Sequence, residues 1–362
     1  RKATTTLQSI FNNAKYQLKK ASRPYDQGEV DVKLSKEERT AENTRIHEEV
    51  MQLLQHTWDF KTIGETKRTL HKRKNTEMTN AEYEKFQELV QRRLLREPLQ
   101  YITSSSQFCG RSFEQQEGVL IAREDSAAMI QLMLQIYARK DYDEREAKKN
   151  AAFTCYDTLF PDLQLFDVDS DVKLERHDVS KHYVKPYPSS ILDVGVGSGI
   201  LLLTALMELS HFSGTDIEGT GIDINPQAVA LAKKNAASFN LNPTIDEADL
   251  YTWTPEKQFD LVLSNPPYIP TKKLRDLDMD VQAYEPHMAL DGGEDGLNYY
   301  RELLKQADGE LLHPSHGVMI LEIDDNVDAM LDLINQSEYL RATHVALDFQ
   351  NLPRALSITK TL

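Results

Sequence analysis

Ile191-Leu192-Asp193-Val194-Gly195-Val196-Gly197-Ser198-Gly199 reads as a buried strand entering a glycine turn, and the apolar run at 200–209 behind it reads as the helix that follows. Strand, tight turn and helix in that order make half of a parallel α/β unit. The glycine spacing is G-x-G-x-G, not the G-x-G-x-x-G of dinucleotide-binding turns. By itself it therefore promises only that a ligand can approach bare backbone. Two further segments repeat the plan. Gly221-Ile222-Asp223-Ile224-Asn225-Pro226 ends a strand on an acid, and Thr244-Ile245-Asp246-Glu247-Ala248-Asp249 does the same. From such positions a carboxylate can accept hydrogen bonds from ribose hydroxyls. A single acid there is commonly a helix cap or turn residue, whereas several at the carboxyl ends of neighbouring parallel strands are better explained by a cofactor.

A fourth apolar run, Phe259-Asp260-Leu261-Val262-Leu263-Ser264, leads straight into Asn265-Pro266-Pro267-Tyr268. Neither proline has a backbone N–H and each fixes φ, so this corner offers carbonyl acceptors and the Asn265 side chain in a stiff arrangement. Such a corner suits a planar NH2 group. The Asn265 side-chain oxygen and the Pro266 carbonyl can accept its two hydrogens, while Tyr268 can cover its flat face. The plainer reading of N-P-P alone is a proline turn after a strand.

Together these residues resemble a class I S-adenosylmethionine-dependent methyltransferase, and specifically the HemK/PrmC-type release-factor glutamine methyltransferases. The segment Arg96-Glu97-Pro98-Leu99-Gln100-Tyr101-Ile102 is similar to the one preceding that family's β-hairpin, and residues 108–123 resemble the hairpin. Beyond the N-P-P-Y corner the family's pattern recurs as Glu285-Pro286, Ala289-Leu290, Gly292-Gly293, Asp295-Gly296-Leu297 and Arg301, and residues 348–354 resemble its last strands. The resemblance covers residues 80–360 with an insertion. Two departures stand out. The family's I-P-R-P-E-T-E stretch appears as Ile121-Ala122-Arg123-Glu124-Asp125-Ser126-Ala127, without its prolines and final carboxylate, and Asp324 replaces a glycine in Glu322-Ile323-Asp324-Asp325.

The resemblance implies a Rossmann-like α/β methyltransferase sheet, an N-terminal helical domain and a connecting β-hairpin. The expected division is a helical domain at 1–95 with a charged linker or loop at 24–40, a hairpin connector at 96–125, and a methyltransferase domain at 126–362 with a charged insertion near 138–188. Asp193, Gly195, Gly197, Gly199, Asp223 and Asp249 are the expected cofactor residues for S-adenosylmethionine. Asn265 and Pro266 are the expected catalytic residues, with Tyr268 stacking on the substrate. Pro267, Glu285 and Arg123 are expected to shape the substrate site. The implied substrate is the glutamine of the Gly-Gly-Gln loop in a class I peptide-chain release factor.

Composition narrows the alternatives. The chain has 362 residues, 40% hydrophobic and 27% charged, enough for two domains. No apolar run reaches membrane-spanning length. A net charge of −15 argues against an extensive nucleic-acid surface. Cys109 and Cys155 lie far apart in sequence without a C-x-x-C, so neither a disulfide framework nor a zinc site is expected. In His313-Pro314-Ser315-His316 the proline and the lack of nearby ligands favour a loop over a metal site.

Charge is uneven. Residues 1–25 hold six basic residues and no acid, with Leu7, Ile10, Phe11, Ala14 and Leu18 on one helical face. This reads as a transit-type segment or the first helix of a domain, and with it the expected compartment is the mitochondrial matrix, the cytoplasm being the alternative. Further on, Ile46, Val50, Leu53 and Leu54 make a helical stripe. Thr79 with Glu82 reads as a capping box opening a helix whose core face carries Tyr83, Phe86, Val90 and Leu94. Two other functions stay open: a methyltransferase fold serving as a binding or ribosome-assembly factor, and adenine-N6 methylation of nucleic acid, since adenine also offers a planar NH2.

Overall fold

The computed structural model describes residues 6–22, 35–138, 164–168, 174–176, 185–348 and 350–361. Most of the expected linker at 24–40 and of the expected insertion at 138–188 lies outside these residues. The chain divides into two compact units, the first ending at Ser104 and the second running from Ser105 to Leu362.

The first unit is helical, and its sequence patterns explain its core. Helix Leu7–Ser22 buries Leu7, Ile10, Phe11, Ala14 and Leu18, the residues of the predicted stripe, so it is a domain helix. Helix Lys36–Thr57 buries Ile46, Val50, Leu53 and Leu54 against it. Helix Asn80–Leu94 opens on the capping box: Glu82 N–H donates to Thr79 Oγ1 at 3.2 Å and Thr79 N–H to Glu82 Oε2 at 2.7 Å. Its buried face is Phe86, Leu89 and Val90. Tyr83 is 43% exposed, which corrects the expected core face: Leu89, three residues after Phe86 and so on the same side of the helix, is buried instead.

The second unit begins with a two-stranded hairpin, β1 (Ser105–Phe108) and β2 (Arg111–Glu114). Its two-residue turn, Cys109-Gly110, has φ of 48° and 72°, the double positive φ that matches strand twist in tight hairpins. The hairpin thus lies earlier and is shorter than the 108–123 stretch suggested. Cys109 is disulfide-bonded, against the expectation from two distant cysteines, because sequence separation does not measure separation in a fold. Cys155 itself lies outside the described residues.

The main sheet contains β3 (Gln164–Val168), β4 (Leu174–Arg176), β5 (Ser190–Val194), β6 (Glu218–Asp223), β7 (Thr244–Glu247), β8 (Leu261–Ser264), β9 (Val318–Glu322), β10 (Leu340–Leu347) and β11 (Pro353–Lys360). Its order is β4-β3-β10-β11-β9-β8-β5-β6-β7. The five strands β9-β8-β5-β6-β7 are parallel, and the others pair antiparallel at the β9 side. Asp348 and residues 350–352, expected within the last strands, instead lie between β10 and β11, where Asp348 accepts the Gln350 and Leu352 N–H groups. Successive strands run outward from β5 in both directions, which opens a crevice at the carboxyl ends of β5 and β8. β5, β8 and β9 are buried along their whole length, which explains their unbroken apolar runs. The sheet is Rossmann-like α/β, with helices Ile200–Ser213 and Pro226–Ser238 following β5 and β6.

Candidate active site

A cavity of about 400 Å³ lies at the carboxyl ends of β5, β6, β7 and β8. It brings together Gly195, Gly197, Asp223, Asp249, Asn265, Pro266 and Pro267. Asp193, Gly199, Tyr268, Glu285 and Arg123 are not among its lining residues, and each sits behind the wall with a definable job.

The loop after β5 is held from within. Gly195 and Val196 N–H donate to the Ile222 carbonyl at 2.8 and 2.9 Å, Gly197 N–H to Asp223 Oδ2 at 2.8 Å, and Gly199 N–H to the Val196 carbonyl at 2.8 Å. A phosphate-binding turn keeps its N–H groups for the ligand; this turn spends these four on its own fold. It fits a cofactor without phosphates. Gly195 and Gly197 have φ of 77° and 55°, and a Cβ at Gly195 would meet no atom within 4 Å, so the space over the loop is open for a ligand. Gly199 does different work. A Cβ there would lie 3.2 Å from the Ala232 side chain, so this glycine lets helix Ile200–Ser213 approach helix Pro226–Ser238.

Asp193 is 1% exposed and lies under the loop, where Oδ2 accepts the Leu202 N–H at 3.2 Å. Its other oxygen is buried without a hydrogen-bond partner among the described residues, and burial pushes the carboxyl well above its usual value. Asp223 lines the cavity and accepts the N–H groups of Gly197 and Asn225. Burial raises its carboxyl, and those two donors oppose the rise. Asp249 faces the cavity beside Tyr251 and caps its own turn by accepting the Tyr251 N–H at 3.0 Å.

The N-P-P-Y corner is clamped by the glycine-rich run downstream. Ile269 N–H donates to the Leu290 carbonyl at 3.1 Å and Gly292 N–H to the Ile269 carbonyl at 2.9 Å. A Cβ at Gly296, whose φ is 81°, would lie 2.3 Å from the Tyr268 carbonyl oxygen, and one at Gly292 would lie 2.8 Å from Tyr268 Cα. These glycines are the condition for the corner's close packing. Ser264 Oγ donates to the Val194 carbonyl at 2.7 Å, binding the corner's strand to the cofactor strand. The Tyr268 phenol points to Glu322 Oε1 at 3.4 Å; burial raises its pKa.

The altered segment at 121–127 has two anchors. Glu285, 5% exposed, accepts from Ile121 N–H at 3.3 Å and pairs with Arg123 at 2.7 Å. Arg354 reaches Asp125 at 3.4 Å, Asp324 at 3.2 Å and Asp348 at 2.8 Å. Asp324, which departs from the resembled pattern, is thus a partner of the cation that holds this segment. Two site residues escaped the sequence reading: Ser126, whose Oγ accepts from Asn265 Nδ2 at 3.4 Å, and Glu322, pushed up to about 7 chiefly by burial. The hydroxyl retained at Ser126 was the available signal for the first; an acid closing an otherwise apolar strand was the signal for the second.

Residues 41–103 match the PrmC N-terminal domain and residues 177–281 the Methyltransferase small domain. A release factor glutamine methyltransferase of Geobacter sulfurreducens is 33% identical over 64% of this chain and 63% of its own. Both matched segments and this relative support a likeness to the HemK/PrmC-type methyltransferase family. Within that family, a release factor glutamine methyltransferase of Caulobacter vibrioides is 38% identical over 47% of this chain and 60% of its own. A bifunctional methyltransferase of Rickettsia typhi is 30% identical over 79% of this chain and 49% of its own. The chain therefore spans from 49% to 63% of the length of these relatives. The family's cofactor is S-adenosylmethionine, and the cavity fits it: a turn whose amides are spent internally, an acid at the end of β6 and open space above Gly195.

Proposed function

We propose that this chain is a protein-glutamine N-methyltransferase whose substrate is the Gly-Gly-Gln glutamine of an organellar peptide-chain release factor. The observation that supports the reading is that Asn265, Pro266 and Pro267, the proposed amide-binding residues, line the same cavity as Gly195, Gly197 and Asp223, the proposed cofactor residues. Bound S-adenosylmethionine supplies an activated methyl group on a sulfonium. The amide nitrogen is a poor nucleophile because its lone pair is delocalised into its carbonyl, so the residues of the site act by positioning. Asn265 Oδ1 and the Pro266 carbonyl each accept one hydrogen of the substrate NH2, aim the nitrogen, and favour its rehybridisation as the new bond forms. No strong base is needed before attack, since the nitrogen becomes acidic once alkylated. Asp223 holds the ribose hydroxyls while it shapes the glycine loop.

The names of the Geobacter and Caulobacter relatives support the substrate class; with helix Leu7–Ser22 packed as a domain helix, the organellar form rests only on the basic charge of residues 1–25. The test is mass spectrometry of candidate release factors after incubation with S-adenosylmethionine, with ribosomal RNA as a control. Methyl on the Gly-Gly-Gln glutamine alone supports the reading. Methyl on RNA, or no turnover from a protein that co-purifies with ribosomal particles, contradicts it in favour of the adenine or assembly role. Microscopy of the full-length protein carrying a C-terminal tag tests the matrix location.

A further inference from the structure

Residues 118–123 form a strap that joins the two halves of the cavity wall. Val119, Leu120 and Ala122 line the cavity. Val119 is buried against Ala228 and Leu231 of helix Pro226–Ser238, while Leu120 and Ala122 are only half-buried. At one end of the strap, Asn225 Nδ2 donates to the Gly118 carbonyl at 2.8 Å. At the other, Glu285 holds the Ile121 N–H and Arg123, and the cavity wall continues from there through Pro286, Met288 and Ala289. Asn225 gives each of its polar groups a different partner. Its N–H donates to Asp223 Oδ1 at 2.9 Å, its Oδ1 accepts the Gln227 N–H at 3.0 Å and caps the helix, and its Nδ2 reaches the strap. A helix cap needs only the acceptor, which serine supplies equally well. The donor that holds Gly118 is the part that capping does not explain.

We propose that Asn225 is a positioning residue: by holding Gly118 it keeps the strap over the cavity and so makes affinity for the release-factor loop depend on cofactor occupancy. This rests on the glutamine-methylation reading above. A ligand that fills the cavity covers Leu120 and Ala122 and takes their apolar surface out of water, which favours the strap in this position. That preference is felt on the cofactor side because Gly118 is anchored two residues beyond Asp223. It is felt on the substrate side because the same short run of chain ends on Arg123 and Glu285. Linkage makes the effect reciprocal, so bound release factor must tighten cofactor binding by the same factor.

The test compares wild type with Asn225→Ser and Gln227→Ala, using S-adenosylhomocysteine, which carries no methyl group to transfer, and a release factor with an intact Gly-Gly-Gln loop. Serine keeps the helix cap but is too short to reach Gly118. Gln227 is the control, because its side chain lies so close over Gly118 that a Cβ there would overlap it, yet its removal leaves the Asn225 donor in place. In wild type, S-adenosylhomocysteine should tighten release-factor binding by about fivefold, the order of one neutral hydrogen bond. It should also slow amide hydrogen exchange across residues 118–123, read by mass spectrometry. In Asn225→Ser the tightening should shrink to less than about twofold and the exchange protection should disappear, with KM for the release factor raised and kcat kept within about twofold. Its thermal unfolding midpoint should stay near wild type, since the cap is retained. Gln227→Ala should keep both effects. Tightening and protection that persist in Asn225→Ser, or that vanish equally in Gln227→Ala, overturn the proposal. So does a wild type whose strap exchanges alike with and without S-adenosylhomocysteine. If no release factor binds or is methylated, the functional reading fails instead, and the exchange measurement with S-adenosylhomocysteine alone still decides this one.

Discussion

Gly197 N–H donates to Asp223 Oδ2 at 2.8 Å, so the acid that ends β6 also sets the shape of the glycine loop that ends β5. Asp223→Ala should therefore lose both the ribose contacts and the loop's support. Charge-assisted bonds of this kind are worth roughly 1.5–3 kcal/mol, so cofactor affinity by calorimetry should fall about tenfold or more. Unchanged affinity in a folded variant would remove Asp223 from the site.

The same residue gives a pH dependence. Burial raises the Asp223 carboxyl, and ribose hydroxyls need its charged form. Affinity should be full above the raised value and fall as pH drops through it, at a higher pH than an exposed aspartate would show. Asp223→Asn should flatten this part of the profile.

Asp193 carries a different expectation, because its contact is the Leu202 N–H and not the cavity. Asp193→Asn can keep that acceptor without a buried charge, and should leave both cofactor affinity and thermal stability close to wild type. Asp193→Ala leaves the Leu202 N–H unpaired and should cost about 1–3 kcal/mol in denaturant titration. A large loss of affinity in a stable Asp193→Asn protein would return this residue to direct cofactor contact.

Much of this site was legible in the sequence. The runs at β5 and β8 are largely apolar and lead into a glycine turn or Asn-Pro-Pro, and those at β6 and β7 lead to acids, so the end that gathers ligands can be read directly. The helical stripe of Leu7, Ile10, Phe11, Ala14 and Leu18 was equally clear, because 3.6-residue periodicity is a local property. What stayed hidden depends on distant segments meeting. Ser126 and Glu322 lie almost two hundred residues apart, and Gly296 gains its role only from the Tyr268 carbonyl above it. Asp193 was assigned to the cofactor because strand-end acids look alike until their neighbours are known.

Gly296→Ala should test the clamp on the N-P-P-Y corner. The added methyl would collide with the Tyr268 carbonyl at a residue whose φ is already 81°, at a cost on the order of 2 kcal/mol or more. Methyl transfer should fall sharply while cofactor affinity changes little, since the Gly195 loop is held separately. Equal loss of both would show that the two halves of the site are not independent.

The altered segment separates two substitutions that sequence alone would group together. Arg123 is extended, with φ −85° and ψ 153°, a conformation compatible with a following proline, so Glu124→Pro should be neutral or stabilise by up to about 1 kcal/mol. Ala127 is 1% exposed within the core, so Ala127→Glu would bury an unpaired carboxylate and should destabilise by roughly 3 kcal/mol. Thermal unfolding of the two single variants decides this. A stable, faster Ala127→Glu enzyme would mean that the segment has lost function, where the structure shows it re-anchored through Arg354.

The most direct measurement is mass spectrometry of a release factor with an intact Gly-Gly-Gln loop, treated with wild type or Asn265→Ala in the presence of S-adenosylmethionine, with cofactor affinity measured on the same samples. We expect one added methyl on the loop glutamine with wild type, and almost none with Asn265→Ala, whose cofactor affinity should remain within about threefold because the lost acceptor serves only the nucleophile. Equal methylation by both proteins, or a parallel collapse of methylation and cofactor binding in Asn265→Ala, would contradict the claim that this corner presents the amide to the methyl group.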